Sequence, residues 1–407
     1  MRRRTAAASA LLAAAAALVP AAVPAAAAPA GAHGADREAA SPAGKAAALQ
    51  RALDGIVAAG VPGAIAEVRE GDRTWRRSSG VADLRDGRRA QPQDRFRAGS
   101  VTKSFVATVV LQLVAEGRIG LDDPIGRHLP GLVPDQVEGA PVTVRQLLGH
   151  TSGIPNYTDV LRRDGDDPIR KLQHSHHTPR ELVAIATKEM KETQGTEGTP
   201  EAKEPRVPGQ PRKWAYSNTN YVILAMLIEK TAGRPLGQEI DRRIVRPLHL
   251  TGTTVPTTER LPGRHMNGYE RLPGETAPAD FTDFSPTAFW GPGNIVSTTS
   301  DLNRFYRALS GGSLLPSHLR QEMRTFQETE PGSARAYGLG LESRSAYCPG
   351  EQPVWGHTGS VPGYSTFSFT SADGDRQITL AVNTSLTIPE KANDAALKAF
   401  SATLCKK

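Results

Sequence analysis

A chain of 407 residues can bury one large core, either as a single two-lobed unit or as two domains. Its formal net charge of +7 comes from lysines and arginines that are scattered rather than clustered with aromatics. That distribution argues against nucleic acid as the main partner and leaves at most a weak attraction to anionic polymers. Beyond the N-terminus no stretch is apolar for long enough to span a bilayer, so no stable membrane insertion is expected.

Taken in order, the chain opens with the basic residues Arg2, Arg3 and Arg4, an apolar run from Ala10 to Val19, and an alanine-rich stretch that offers small-residue cleavage sites up to Ala30. Residues 1–30 read as a secretory signal peptide. A transmembrane anchor is the alternative, but the apolar run is short and Pro20 and Pro24 interrupt its continuation. Cleavage near Ala30 removes three arginines and no acidic residue, which leaves a mildly basic, secreted chain. Residues 31–45 read as a disordered linker and 46–407 as one domain. Both cysteines, Cys348 and Cys405, lie near the C-terminus. In an oxidising compartment they are expected to form one disulfide, since neither sits in a recognisable nucleophile setting.

Ala46 to Ala59 carries Leu49, Leu53, Ile56 and Val57 on one helical face. Residues 63–69 and 74–81 flank Glu70-Gly71-Asp72-Arg73 and read as a β-hairpin. A helix opens at Ser100 and stops at Gly117, and short helices follow from Leu121, one behind Thr143 and one running from Thr178 to Met190. Lys191 to Pro211 has almost no apolar residue and reads as a surface loop. An apolar helix from Thr219 to Lys230 stops at Gly233, and another runs from Leu302 to Leu309. Strands are predicted at 354–359, 364–370 and 376–383, and a last helix from Asn393 to Leu404. Strands at both ends with helices between predict an α+β fold: one antiparallel sheet built from the N- and C-terminal segments, flanked by helices, with a mostly helical insertion at about 121–290.

Ser100 and Lys103 stand three residues apart, one turn along the same helix face. A serine hydroxyl is a poor nucleophile until a base takes its proton, and lysine serves as that base only when burial or nearby charge depresses its pKa. Alone, a Ser-x-x-Lys pattern is expected on the order of once by chance in a chain of this length, and by itself reads better as a polar pair opening a buried helix. Tyr216-Ser217-Asn218 and His357-Thr358-Gly359 follow it in order. Each alone has a structural reading too: a core tyrosine, an N-cap, a strand histidine.

Together the three motifs resemble the serine penicillin-recognising enzymes, the group that holds secreted D-alanyl-D-alanine carboxypeptidases, class C β-lactamases and related esterases and D-amino-acid peptidases. The resemblance runs from about Leu49 to Cys405 and takes in His150-Thr151-Ser152-Gly153, Pro208-Gly209, Trp290 and the paired cysteines. It implies a β-lactamase/transpeptidase-like fold, with Ser100 as the acylated nucleophile, Lys103 as its base and Tyr216 as a proton shuttle. Asn218, Trp290, His357, Thr358, Gly359 and Ser360 would bind substrate, and the backbone amides of Ser100 and Ser360 would hold the oxyanion. His357 stands where class C β-lactamases usually have lysine, which favours the carboxypeptidases. Their carboxylate-binding arginine, however, is replaced after Leu341 by Glu342, which is expected to repel a carboxylate; Arg344 is a candidate substitute. Pro362 stands where they have glutamine.

The expectation is a secreted, monomeric serine D-alanyl-D-alanine carboxypeptidase acting on peptidoglycan peptides, with β-lactams as substrates or inhibitors. A β-lactamase, an esterase or D-aminopeptidase, and a non-catalytic receptor are the alternatives. No cofactor and no metal are expected: His174, His176 and His177, near Asp164, Asp166 and Asp167, lack a recognised ligand spacing.

Overall fold

The structure is a computed structural model that describes residues 42–406 apart from 135–136, 138–139, 166, 195–212 and 386–387. The expected signal peptide, most of the expected linker, the Pro208-Gly209 step and most of the 191–211 loop lie outside the described residues. An eight-stranded antiparallel sheet runs in the order Arg73–Gly80, Gly63–Glu70, Arg376–Val382, Tyr364–Thr370, Val354–Val361, Glu342–Arg344, Arg335–Tyr337, Gln327–Glu328. The first strand after the N-terminal helix pairs with the last strand of the chain, Ala64 opposite Val382 and Glu70 opposite Arg376. The two ends of the chain therefore share one sheet, as expected.

Side-chain alternation along these strands divides the core. Ala64, Ala66 and Val68 face the helices Pro42–Ala58 and Glu390–Leu404, where they meet Leu53, Ile56, Ala396 and Phe400. Ile65 and Ala381 point the other way, into a larger core shared with the helices Thr102–Ala115, Asn218–Ala232 and Thr299–Gly311. Each Leu, Ile or Phe so buried contributes about 1.5–3 kcal/mol. At its start the Thr102–Ala115 helix has no exposed face: every residue from Thr102 to Leu111 is buried, and Phe105 stacks on Phe305 with ring centroids 3.9 Å apart. Cys348 and Cys405 are joined as a disulfide, their Cα atoms 5.3 Å apart, which ties the end of the last helix to the loop before Val354.

Several boundaries differ from the sequence reading. The first helix begins at Pro42 and so takes in four residues read as linker. The helix predicted to end at Met190 runs Pro179–Gln194, and the one predicted from Leu302 starts at Thr299, where the Thr298 side chain accepts from Asp301 N at 3.2 Å. The three short strands between Gln327 and Arg344, each of two or three residues, are too short to show alternation.

Candidate active site

Ser100 sits in a short 3-10 turn, Gly99–Val101, that leads into the Thr102–Ala115 helix. Two glycines let the Val354–Val361 strand press against this turn. A Cβ on Gly99, whose φ is +55°, would lie 2.7 Å from Ser360 N, and one on Gly359 would lie 2.0 Å from Ala98 O and 3.2 Å from Ser100 N. The backbones carrying the Ser100 and Ser360 amides thereby approach each other at two positions where only glycine fits. Thr102 Oγ1 donates to Gly99 O at 2.7 Å and accepts from Ile295 N at 3.1 Å, which fixes the turn from behind.

Lys103 Nζ lies 3.0 Å from Ser100 Oγ, 2.7 Å from Asn218 Oδ1 and 3.1 Å from Pro292 O. Tyr216 OH donates to Ser100 Oγ at 2.8 Å. Lys103 is 0 % exposed, and burial holds its pKa well below the ordinary lysine value, although Glu342 pulls the other way. Burial pushes the Tyr216 phenol up, against the hydrogen bond to Ser100. Of the two groups beside the hydroxyl, the amine is therefore the one that sheds its proton first. Asn218 Oδ1 and the Pro292 carbonyl only accept, so a neutral amine can give them both its hydrogens and keep its lone pair for the serine proton.

The sheet wall is different. His357 is buried and does not line the cleft; its Nε2 lies 2.9 Å from Tyr337 OH. Burial pushes its pKa down to about 4 while Glu342 pulls it up. Thr358, Gly359 and Ser360 of the same motif do line the cleft. Glu342 is buried as well, accepting from Thr358 Oγ1 at 2.8 Å, from Arg335 at 3.0 Å, and from Arg344 at 2.6 and 3.0 Å. Burial opposes its charge, but His357, Arg344 and Arg335 outweigh burial and hold the carboxyl at about 2. The expected repulsion of a carboxylate by Glu342 is thus offset within the protein: two guanidiniums that remain 30 % and 25 % exposed stand beside it in the cleft wall.

Asn218 turns its oxygen to Lys103 and donates its amide to Thr158 Oγ1 at 3.1 Å, so in this state it supports the base. Trp290 closes the Pro286–Phe289 turn half-buried against the main core and is not among the residues lining the cleft; its neighbours Phe289 and Gly293 are. The cleft encloses about 560 Å³ and has apolar walls at Phe289, Phe367 and Ile388. Arg162 and Arg335 also line it. Neither belongs to a motif, and only the folded arrangement brings them to Ser100. His174 and His176 turn to Glu259, and among the described residues no cluster of His, Cys, Asp or Glu could hold a metal ion.

This fold, with Ser100 at the meeting of helix and sheet, defines a class: the serine hydrolases of the β-lactamase and penicillin-binding protein superfamily. The chain belongs to the Beta-lactamase family, whose model matches residues 46–403. A D-stereospecific amidohydrolase from Streptomyces sp. is similar in structure, with 36 % identity, TM-score 0.72, and 86 % of this chain and 97 % of that chain covered. A D-amino acid amidase from Ochrobactrum anthropi SV3, solved with L-phenylalanine amide, gives 28 % identity and TM-score 0.73 over 88 % of this chain and 98 % of that chain. In sequence, the putative penicillin-binding protein PbpX of Bacillus subtilis is 28 % identical over 327 residues, 80 % of this chain and 71 % of PbpX.

Proposed function

We propose that the protein is a serine peptidase acting on D-residue amides through an acyl-enzyme on Ser100, and specifically an exported D-alanyl-D-alanine carboxypeptidase on cell-wall peptides. The observation that carries the chemistry is the contact of one hydroxyl with a buried amine at 3.0 Å and a phenol at 2.8 Å. Lys103 takes the Ser100 proton as Oγ attacks the scissile carbonyl carbon. The carbonyl π electrons move to oxygen, where the Ser100 and Ser360 amides face the developing charge. As the C–N bond breaks, Tyr216 gives its proton to the departing nitrogen and recovers one from Lys103. Water then attacks the ester by the same route in reverse, releasing the acid and restoring Ser100.

The carboxypeptidase reading draws support from the exposed edges of Arg335 and Arg344, which offer a cationic seat for the leaving residue's carboxylate. Export draws support from the basic, apolar and alanine-rich order of residues 1–30. A second reading, a D-amino-acid amidase, is favoured by the 36 % identity to the Streptomyces amidohydrolase. The decisive assay compares diacetyl-L-Lys-D-Ala-D-Ala with its C-terminal amide and with D-phenylalanine amide, while intact mass follows Ser100 during exposure to benzylpenicillin. Preference for the free carboxylate, with a long-lived penicillin adduct absent in Ser100→Ala, supports the peptidase. Preference for the amides moves the assignment to amidase, and rapid drug hydrolysis moves it to β-lactamase.

A further inference from the structure

His150 is a residue that the chemistry above leaves without a role, yet three independent features meet on it. It is buried at 0 % exposure. Its backbone is left-handed, with φ +59°; among the described non-glycine residues only His249 shares that sign. Its ring lies against the machinery, with the centroid 4.4 Å from the Tyr216 ring, 4.8 Å from Tyr337 and 5.3 Å from Tyr221.

The hydrogen bonds fix its chemical state. The backbone amide of Ser217, the residue after Tyr216, donates to His150 Nδ1 at 3.2 Å. Asn220 Nδ2 lies 3.3 Å from the same atom, and Asn220 Oδ1 is turned away to accept from Ser152 Oγ at 2.7 Å. An atom facing a backbone N–H must accept, so Nδ1 carries no proton and the ring is the neutral tautomer protonated at Nε2. Burial pushes the imidazole pKa well below its ordinary value, and Lys103, His357 and Arg335 push it the same way. Ala215 N donates to His150 O at 2.9 Å, so the segment carrying Tyr216 is held by this residue's backbone as well as by its ring.

We propose that His150 is a positioning residue for Tyr216: its carbonyl and Nδ1 bracket the backbone of the Ala215–Ser217 turn while its ring lies against the phenol, so that the phenol hydroxyl stays on Ser100 Oγ. The left-handed backbone is what turns the residue's carbonyl and its ring toward the same short segment. The inference rests on Tyr216 being the donor to the leaving nitrogen, and its test separates the two ideas.

The test pairs N-acetyl-D-alanine p-nitroanilide with the matching p-nitrophenyl ester. Nitroanilide nitrogen needs a proton to leave, whereas nitrophenolate departs without one. In Tyr216→Phe the anilide should lose far more of its kcat/KM than the ester. His150→Leu should show the same selective loss, on the order of 10–100-fold for the anilide through kcat with KM little changed. His150→Asn, whose Oδ1 can accept from Ser217 N–H, should recover part of it. If His150→Leu fails to fold, His150→Phe, which keeps a ring and loses the acceptor, is compared with His150→Asn, and a larger anilide loss in the Phe variant supports the role. Equal losses on both substrates in the His150 variants, alongside a selective loss in Tyr216→Phe, overturn the inference alone. No selectivity in Tyr216→Phe overturns the Tyr216 reading and the inference with it.

Discussion

The two walls of the cleft each bury ionisable groups, and they treat charge in opposite ways. On the helical wall Lys103 is enclosed with neutral acceptors at hydrogen-bond distance and, among the described residues, no carboxylate touching it, so burial disfavours its charged form. On the sheet wall Glu342 is equally buried but tied to two guanidiniums, so it keeps its charge. Burial alone produces a base; burial with a matched partner produces a fixed charge. The chemistry proposed for Ser100 needs the first, and the second fixes two arginines in the cleft wall.

The sharpest way to break this contrast is to remove the base. Lys103→Ala should lower the acylation rate by about 10²–10⁴-fold while the fold is retained, with some loss of stability from the cavity and from the acceptors left without a donor. Acylation at the wild-type rate would take Lys103 out of the mechanism. On the other wall the damage should appear in stability. Glu342→Ala leaves Arg335 and Arg344 facing each other without a counter-charge and should cost about 3–5 kcal/mol in urea unfolding. Replacing Glu342 with arginine, which would recreate the carboxypeptidase pattern, should be worse, since it adds a third guanidinium to the same buried site. A smaller effect is expected from Arg344→Gln: a 10–100-fold rise in KM for a D-Ala-D-Ala substrate, about 1.5–3 kcal/mol for a lost charged hydrogen bond, and little change for the corresponding amide. An equal rise for both would show that Arg344 does not read the carboxylate.

The helical wall was the more legible in sequence. Ser100 and Lys103 are close in the chain, so helix spacing alone predicts their contact, now 3.0 Å. The hairpin at Gly63–Gly80 and the strands after Val354 follow from alternation and turn residues. The sheet wall was not legible because its partners meet only through register: Arg335 pairs opposite Arg344, and Tyr337 opposite Glu342, across strands of three residues. Residue type misled for Glu342, whose sign suggested repulsion of a carboxylate, since nothing local announces Arg335 seven positions earlier. His357 misled in a similar way: its place in the motif suggests contact with substrate, but the strand turns its ring inward to Tyr337.

The finest test of the contrast links the two walls through pH. Glu342 raises the Lys103 pKa, against the larger effect of burial. In the proposed mechanism Lys103 works unprotonated, so kcat/KM should fall as pH drops through its lowered pKa. Glu342→Gln keeps the shape and an acceptor for Thr358 but removes the negative charge. The ammonium form of Lys103 then loses an attraction, its pKa falls further, and the acid limb of the pH profile should move to lower pH. A limb that stays in place would mean that the charge on Glu342 is spent wholly on its arginines and His357, leaving the walls electrically separate. A limb that moves to higher pH would mean that the titrating group is not Lys103.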